Sequence, residues 1–140
     1  MINIHFFNED IPFELKNKTK LRKWIESTIK QNQSKLISLN YIFTSDNYLL
    51  EINKNYLNHD TLTDIITFDQ SSKKNFIEAD MYISIERIKE NSETYNISFM
   101  DELHRVMIHG VLHLLGYKDK TGEDKKEMRK KENHYLALRL

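Results

Sequence analysis

Near the start of the chain Ile2, Ile4 and Phe6 are interleaved with Asn3, His5 and Phe7, and this period of two predicts a half-buried strand. After a turn around Pro12 the period changes. Leu21, Trp24, Ile25, Thr28 and Ile29 recur at i, i+3 and i+4, the stripe of an amphipathic helix that Asn17 or Thr19 can cap. Leu39, Tyr41 and Phe43 then alternate with Ser38, Asn40 and Ile42 in a second strand that ends near Thr44. Ser45 or Asp46 opens a short helix carrying Tyr48, Leu49, Ile52 and Tyr56, and Asn58-His59-Asp60 marks a loop. Thr63 to Phe68 and Ala79 to Ile85 read as two further strands joined by a polar loop, followed by a helix from about Glu86 to Tyr95.

The next stretch has a different character. Val106, Met107, Ile108, Val111, Leu112, Leu114 and Leu115 make a helix apolar around most of its circumference, opened by Ser98-Phe99-Met100-Asp101, which has the spacing of a capping box. A second box, Thr121 to Asp124, opens a charged final helix whose apolar positions Met128, Tyr135 and Leu138 are sparse. Strands alternating with helices around one apolar helix predict an α+β fold, a small mixed β-sheet of about four strands packed with about five helices. The apolar helix should lie buried in the middle, with its C-terminal end open to solvent.

Composition narrows the classes. A chain of 140 residues fits a single domain, 1–140, and its 3 Gly and 1 Pro leave little room for linkers. Cysteine is absent, which excludes a disulfide-linked partner and a thiolate metal site and agrees with a cytoplasmic location. No apolar run approaches the roughly 20 residues of a membrane span, and MINIHFFNED lacks the basic start and apolar core of a signal peptide, so no membrane association is expected. Formal net charge is zero, which gives no global attraction for nucleic acid. Charge is nevertheless segregated: six cations face one anion between Lys16 and Lys30, and seven face four between Lys118 and Lys131. Either run could track a phosphate backbone or be a solvated helix face.

The candidate chemistry sits on the apolar helix, in His109-Gly110-Val111-Leu112-His113-Leu114-Leu115-Gly116-Tyr117-Lys118-Asp119. His109 and His113 are i,i+4 neighbours and can reach one ion from one helix face. Gly116 suits the left-handed position that ends a helix, so that Asp119 can double back toward the rings. A His/His/Asp set with an open fourth position suits one zinc ion. A histidine pair at this spacing is commonly mere surface or core; the glycine stop, the carboxylate and the apolar flanks favour the ligand reading. The offsets match the metzincin pattern H-E-x-x-H-x-x-G-x-x-H except at Gly110, which replaces its general base, and Asp119, which replaces its third histidine.

HGVLHLLGYKD resembles the H-G-x-L-H-L-x-G-Y-D-H signature of the YbeY family of bacterial single-strand endoribonucleases, implicated in ribosomal RNA maturation and ribosome quality control. Tyr56 to Phe68 (YLNHDTLTDIITF) resembles the family's Y-R-x-x-D-x-P-T-D-V-L-S-F stretch, and Ala79 to Ile85 (ADMYISI) its G-D-I-x-I-S strand. The resemblance implies the same α+β fold and a metal-dependent endoribonuclease whose partners are single-stranded RNA, rRNA or the small ribosomal subunit. The departures are specific: the third metal-site histidine falls on Asp119, the aspartate before it on Lys118, an arginine on Leu57 and a proline on Leu62. Asp119 preserves a ligand, although its charge should lower the pKa of bound water less than a third imidazole would. With no cation at 57, Lys118 and Lys120 are the nearest substitutes for phosphate binding.

Other residues carry less. His59 and Asp60 could approach the cleft from their loop, and Thr63 and Asp64 more commonly satisfy backbone donors at a strand entrance than act on substrate. Glu102, two helical turns before His109, suits a supporting role, while His5, His104 and His134 have no partner at ligand spacing. The general base is not identified; a metal-bound water is the candidate nucleophile. Alternative readings are a ribosome-associated binding factor with a structural metal, a metzincin-like hydrolase of another substrate, disfavoured by Gly110, and a non-haem iron oxygenase.

Overall fold

The computed structural model describes residues 1–59 and 61–139. Four strands, β1 (Ile4–Asn8), β2 (Lys35–Thr44), β3 (Ile65–Asp69) and β4 (Phe76–Ser84), form one sheet in the order β1-β2-β4-β3. β1 and β4 run parallel to β2, and β3 is antiparallel to β4, so the sheet is mixed. Five helices accompany it: α1 (Lys18–Gln31), α2 (Asp46–Leu57), α3 (Ile85–Tyr95), α4 (Phe99–Leu114) and α5 (Gly122–Leu136). The architecture is the α+β fold read from the sequence.

Sheet registry explains where the core lies. Tyr41 of β2 pairs with Met81 of β4, so both point to one face, and the Tyr41 hydroxyl donates to the Met107 carbonyl of α4 at 3.0 Å. On that face Leu39, Tyr41, Phe43, Ala79, Met81 and Ile83 are buried against α4 residues such as Leu103, Met107 and Val111. Tyr82 points the other way and stacks with Tyr48 of α2, their ring centroids 6.4 Å apart. α4 therefore has one side against the sheet and another available to α5, which packs along it.

Helix ends differ from the sequence reading in detail. Asn17 does stand at the N-terminus of α1, but in the left-handed region and without a side-chain cap bond. β4 stops at Ser84, whose hydroxyl accepts from the Arg87 amide, so Ile85 begins α3 instead of ending a strand. At α5 both halves of the capping box form between Thr121 and Asp124. At α4 only the Ser98 half forms, because the Asp101 carboxylate is 3.0 Å from the Arg139 guanidinium. Among the described residues no helix is long and apolar enough to cross a membrane.

Candidate active site

The site grows from the end of α4. The Gly116 amide donates to the His113 carbonyl and the Tyr117 amide reaches back to the Leu112 carbonyl, each at 3.1 Å, which is the paired bonding of a Schellman stop. Gly116 has φ +105°, a conformation L side chains rarely adopt, while no neighbouring atom crowds its position. Conformation alone therefore calls for glycine here. The reversal carries Asp119 back until its Oδ2 lies 3.8 Å from His109 Nε2.

Gly110 is glycine for another reason. A Cβ there would stand 2.6 Å from Met81 Sδ and 2.9 Å from Ile65 Cδ1, so this side of α4 lies directly on β3 and β4. The position at which a metzincin carries its glutamate faces the packed core.

His109 and Asp119 open onto a cleft of about 490 Å³ between the end of the sheet and the α4–α5 pair. Asp64, Glu102, Arg105, Lys125, Arg129 and Glu132 also line it, and Asn91 and Tyr95 of α3 contribute to its wall. Glu132 holds its centre. Its Oε2 lies 2.8 Å from His109 Nδ1 and its Oε1 2.9 Å from Arg105 Nη1, with Arg129 Nε at 3.8 Å. Burial opposes ionisation of this carboxyl, but the hydrogen bonds from His109 and Arg105, with the charges of His109 and Arg129, outweigh it and depress its pKa. His109 moves the opposite way: burial favours the neutral ring, yet the bond and charge of Glu132, helped by Asp119 and Asp64, raise its pKa.

Asp64 and Glu102 form a second acidic group in the cleft. Burial raises the pKa of both; for Asp64 the positive charge of His109 opposes this, and for Glu102 the charge of Asp64 reinforces it against Arg105 and Arg129. Glu102 is 4% exposed and its carboxylate has no hydrogen bond among the described residues. Carboxyls whose pKa is raised and that line a solvent cleft are candidates to take or give a proton.

The predicted site residues are thus brought together unequally. His109 and Asp119 converge. His113 is exposed, does not line the cleft, and has no ion pair with Asp119. Among the described residues no group of three or more His, Cys, Asp or Glu side chains is gathered as a metal cage. Two donors on one tetrahedral zinc ion stand about 3.4 Å apart, so the 3.8 Å between His109 and Asp119 fits one ion after a small side-chain rotation. Lys118 and Lys120 are exposed and outside the cleft lining, where Lys125 and Arg129 stand instead. His59 is exposed and also outside that lining; Asp60 lies outside the described residues.

Sequence reasoning missed Glu132 and Arg105. A signal existed: Met128, Glu132 and Tyr135 occupy one stripe of α5, and all three are buried. A carboxylate on an otherwise apolar stripe needs a partner. Arg105 and His109 are likewise i,i+4 on α4, and Arg105 is the cation that shares Glu132 with the histidine.

Fold and cleft define a class first: a small α+β protein with an enzyme-like cleft, in which a histidine and several carboxylates surround the C-terminal half of a buried helix. Residues 3–138 match the family model described as endoribonuclease YbeY. An endoribonuclease YbeY of Amoebophilus asiaticus is 52% identical over 134 residues, spanning 96% of this chain and 91% of its own. One of Cytophaga hutchinsonii is 48% identical over 136 residues, spanning 97% and 95%. The solution structure of a Thermotoga maritima protein superposes with a TM-score of 0.66 at 27% identity, covering 95% of this chain and 86% of that one. The chain belongs to the YbeY endoribonuclease family.

Proposed function

We propose that the protein is a hydrolytic endoribonuclease that cleaves single-stranded RNA in ribosomal RNA maturation, using one zinc ion held by His109, His113 and Asp119. Family membership supports the nuclease activity, and one observation supports the zinc reading: His109 Nε2 and Asp119 Oδ2 face each other across 3.8 Å at the mouth of a cleft rich in ionisable groups. His113 lies one helical turn beyond His109 and supplies the third donor. Bound zinc supplies Lewis acidity and a more acidic water. The other work falls to the chain. Asp64 and Glu102 are the proton carriers in place of the glutamate that Gly110 lacks, since both line the cleft and burial raises the pKa of each. Lys125 and Arg129, one turn apart on α5, face the cleft and are the phosphate contacts, with Lys118 and Lys120 extending the track outward.

The test is metal analysis of protein purified without a histidine tag, followed by cleavage of matched single-stranded and duplex RNA. About one zinc per chain is expected, with single-strand cleavage that a chelator abolishes and added zinc restores. Chelator-insensitive cleavage overturns the zinc reading, and absence of cleavage at full zinc occupancy favours a ribosome-associated binding factor with a structural metal.

A further inference from the structure

We infer that Glu132 is a positioning residue for His109: it fixes the ring as the Nδ1–H tautomer and leaves Nε2 as the donor atom turned toward Asp119. This inference rests on the metal reading only for its consequence, because the bond pattern stands without an ion. Glu132 Oε2 lies 2.8 Å from Nδ1, and an ionised carboxylate can only accept, so the ring must donate there. In the neutral ring the proton on Nδ1 leaves the Nε2 lone pair free, and Nε2 is the nitrogen that lies 3.8 Å from Asp119. Glu132 is itself held. Its other oxygen accepts from Arg105 Nη1 at 2.9 Å, and the second guanidinium nitrogen, Nη2, donates to Asn133 Oδ1 at 3.0 Å.

Arg105 and His109 are on α4, whereas Glu132 and Asn133 are on α5. The final helix therefore orients a ligand carried by the central one. Zinc-bound histidines recur with this arrangement, a carboxylate on the distal ring nitrogen that sets tautomer and basicity. The alternative is that Glu132 merely pins α5 to α4 through Arg105. The two roles separate because the carboxylate uses a different oxygen for each partner.

Two variants divide them. Arg105→Leu removes the helix clamp and keeps the acceptor of His109. Arg105→Leu/Glu132→Leu removes the acceptor as well and leaves no buried orphan charge, since replacing both members of a buried ion pair by apolar residues is often neutral for folding. Nitrogen-15 shifts of the histidine rings, recorded in metal-free protein above the titration of His109, should report a single Nδ1–H tautomer in the unmodified protein and in Arg105→Leu, and a mixture in the double variant. Zinc affinity, from competition with a chelator, should fall about 10–100-fold in the double variant relative to Arg105→Leu. An unmodified protein with its His109 proton on Nε2, or a double variant that keeps both tautomer and affinity, overturns the assignment. Failure of every variant to take up zinc overturns the metal reading instead, and the tautomer comparison then decides this proposal alone.

Discussion

His104 and His109 lie on the same helix and are both substantially enclosed, yet their surroundings drive them in opposite directions. His104 is 8% exposed, with its ring centroid 6.0 Å from that of Trp24. Its Nδ1 faces Arg139 Nη1 at 2.9 Å, a permanent donor, so the neutral ring carries its proton on Nε2, which is buried with no partner among the described residues. Burial pushes its pKa down to about 4, the charge of Arg139 adds to this, and Asp101 opposes it. His109 has Glu132 on Nδ1, the opposite tautomer and a raised pKa. Burial acts with the same sign on both. A carboxylate on the ring nitrogen makes one histidine a candidate ligand, and a guanidinium makes the other a packing residue.

The largest expected effect tests that contrast directly. His109→Ala should lose zinc and reduce RNA cleavage more than the 100-fold or so typical of outer-shell changes, whereas His104→Gln should keep both. Equal loss of zinc in the two variants, read by metal analysis, would break the comparison.

A second consequence is a contribution to pH dependence in which His104 has the opposite sign to His109. The folded pKa of His104 lies below the 6.5 of an unperturbed ring, so as pH falls below 6.5 the unfolded chain takes up the proton first and stability is lost. The loss accumulates down to about pH 4, approaching about 3 kcal/mol, and is absent above the unfolded value. Urea midpoints measured at neutral pH and at about pH 5 should diverge less in His104→Gln than in the unmodified protein. An unchanged gap would mean that other groups carry the acid sensitivity.

Gly110 sharpens the comparison from the opposite side of α4. Gly110→Ala should cost about 1–3 kcal/mol through overpacking against Met81 and Ile65, with zinc content little altered. Chemical denaturation with metal analysis separates the two readouts, and a stable variant lacking zinc would contradict the division of α4 into a packing side and a chemical side. The smallest effect concerns RNA: Lys125→Ala/Arg129→Ala should reduce the salt slope of single-strand binding by about 1.4, the value for two lost phosphate contacts. A larger reduction in Lys118→Ala/Lys120→Ala would move the RNA track outside the cleft.

Much of this molecule is local and therefore legible in sequence. The alternation of Leu39, Tyr41 and Phe43 and the stripe of Leu21, Trp24, Ile25 and Ile29 report strand and helix faces, because backbone geometry repeats every two or every 3.6 residues wherever the chain folds. His109, Gly116 and Asp119 were readable for the same reason, since a helix turn and a left-handed stop fix where the chain goes next. The boundary between β4 and α3 was less so: Ile85 continues the strand's alternation, and only the Ser84 cap bond to Arg87 ends it.

What tertiary structure alone decided is which helical turns of α4 become covered. His109 and His113 are equivalent by spacing, but α5 brings Glu132 against the first while the second remains exposed. Nothing local requires glycine at position 110; it is the packing of β3 and β4 that leaves no room for a Cβ there. Asp64, Glu102, Arg105, Arg129 and Glu132 come from a strand entrance and two helices; helical spacing relates Glu102 to Arg105 and Arg129 to Glu132, but no periodicity joins the three elements. The sequence by itself determined the elements and the return of Asp119 toward His109, because both depend on near neighbours. The electrostatics of the cleft depend on charges brought together by packing, and a buried carboxylate acquires its meaning only from the partner on the opposing helix.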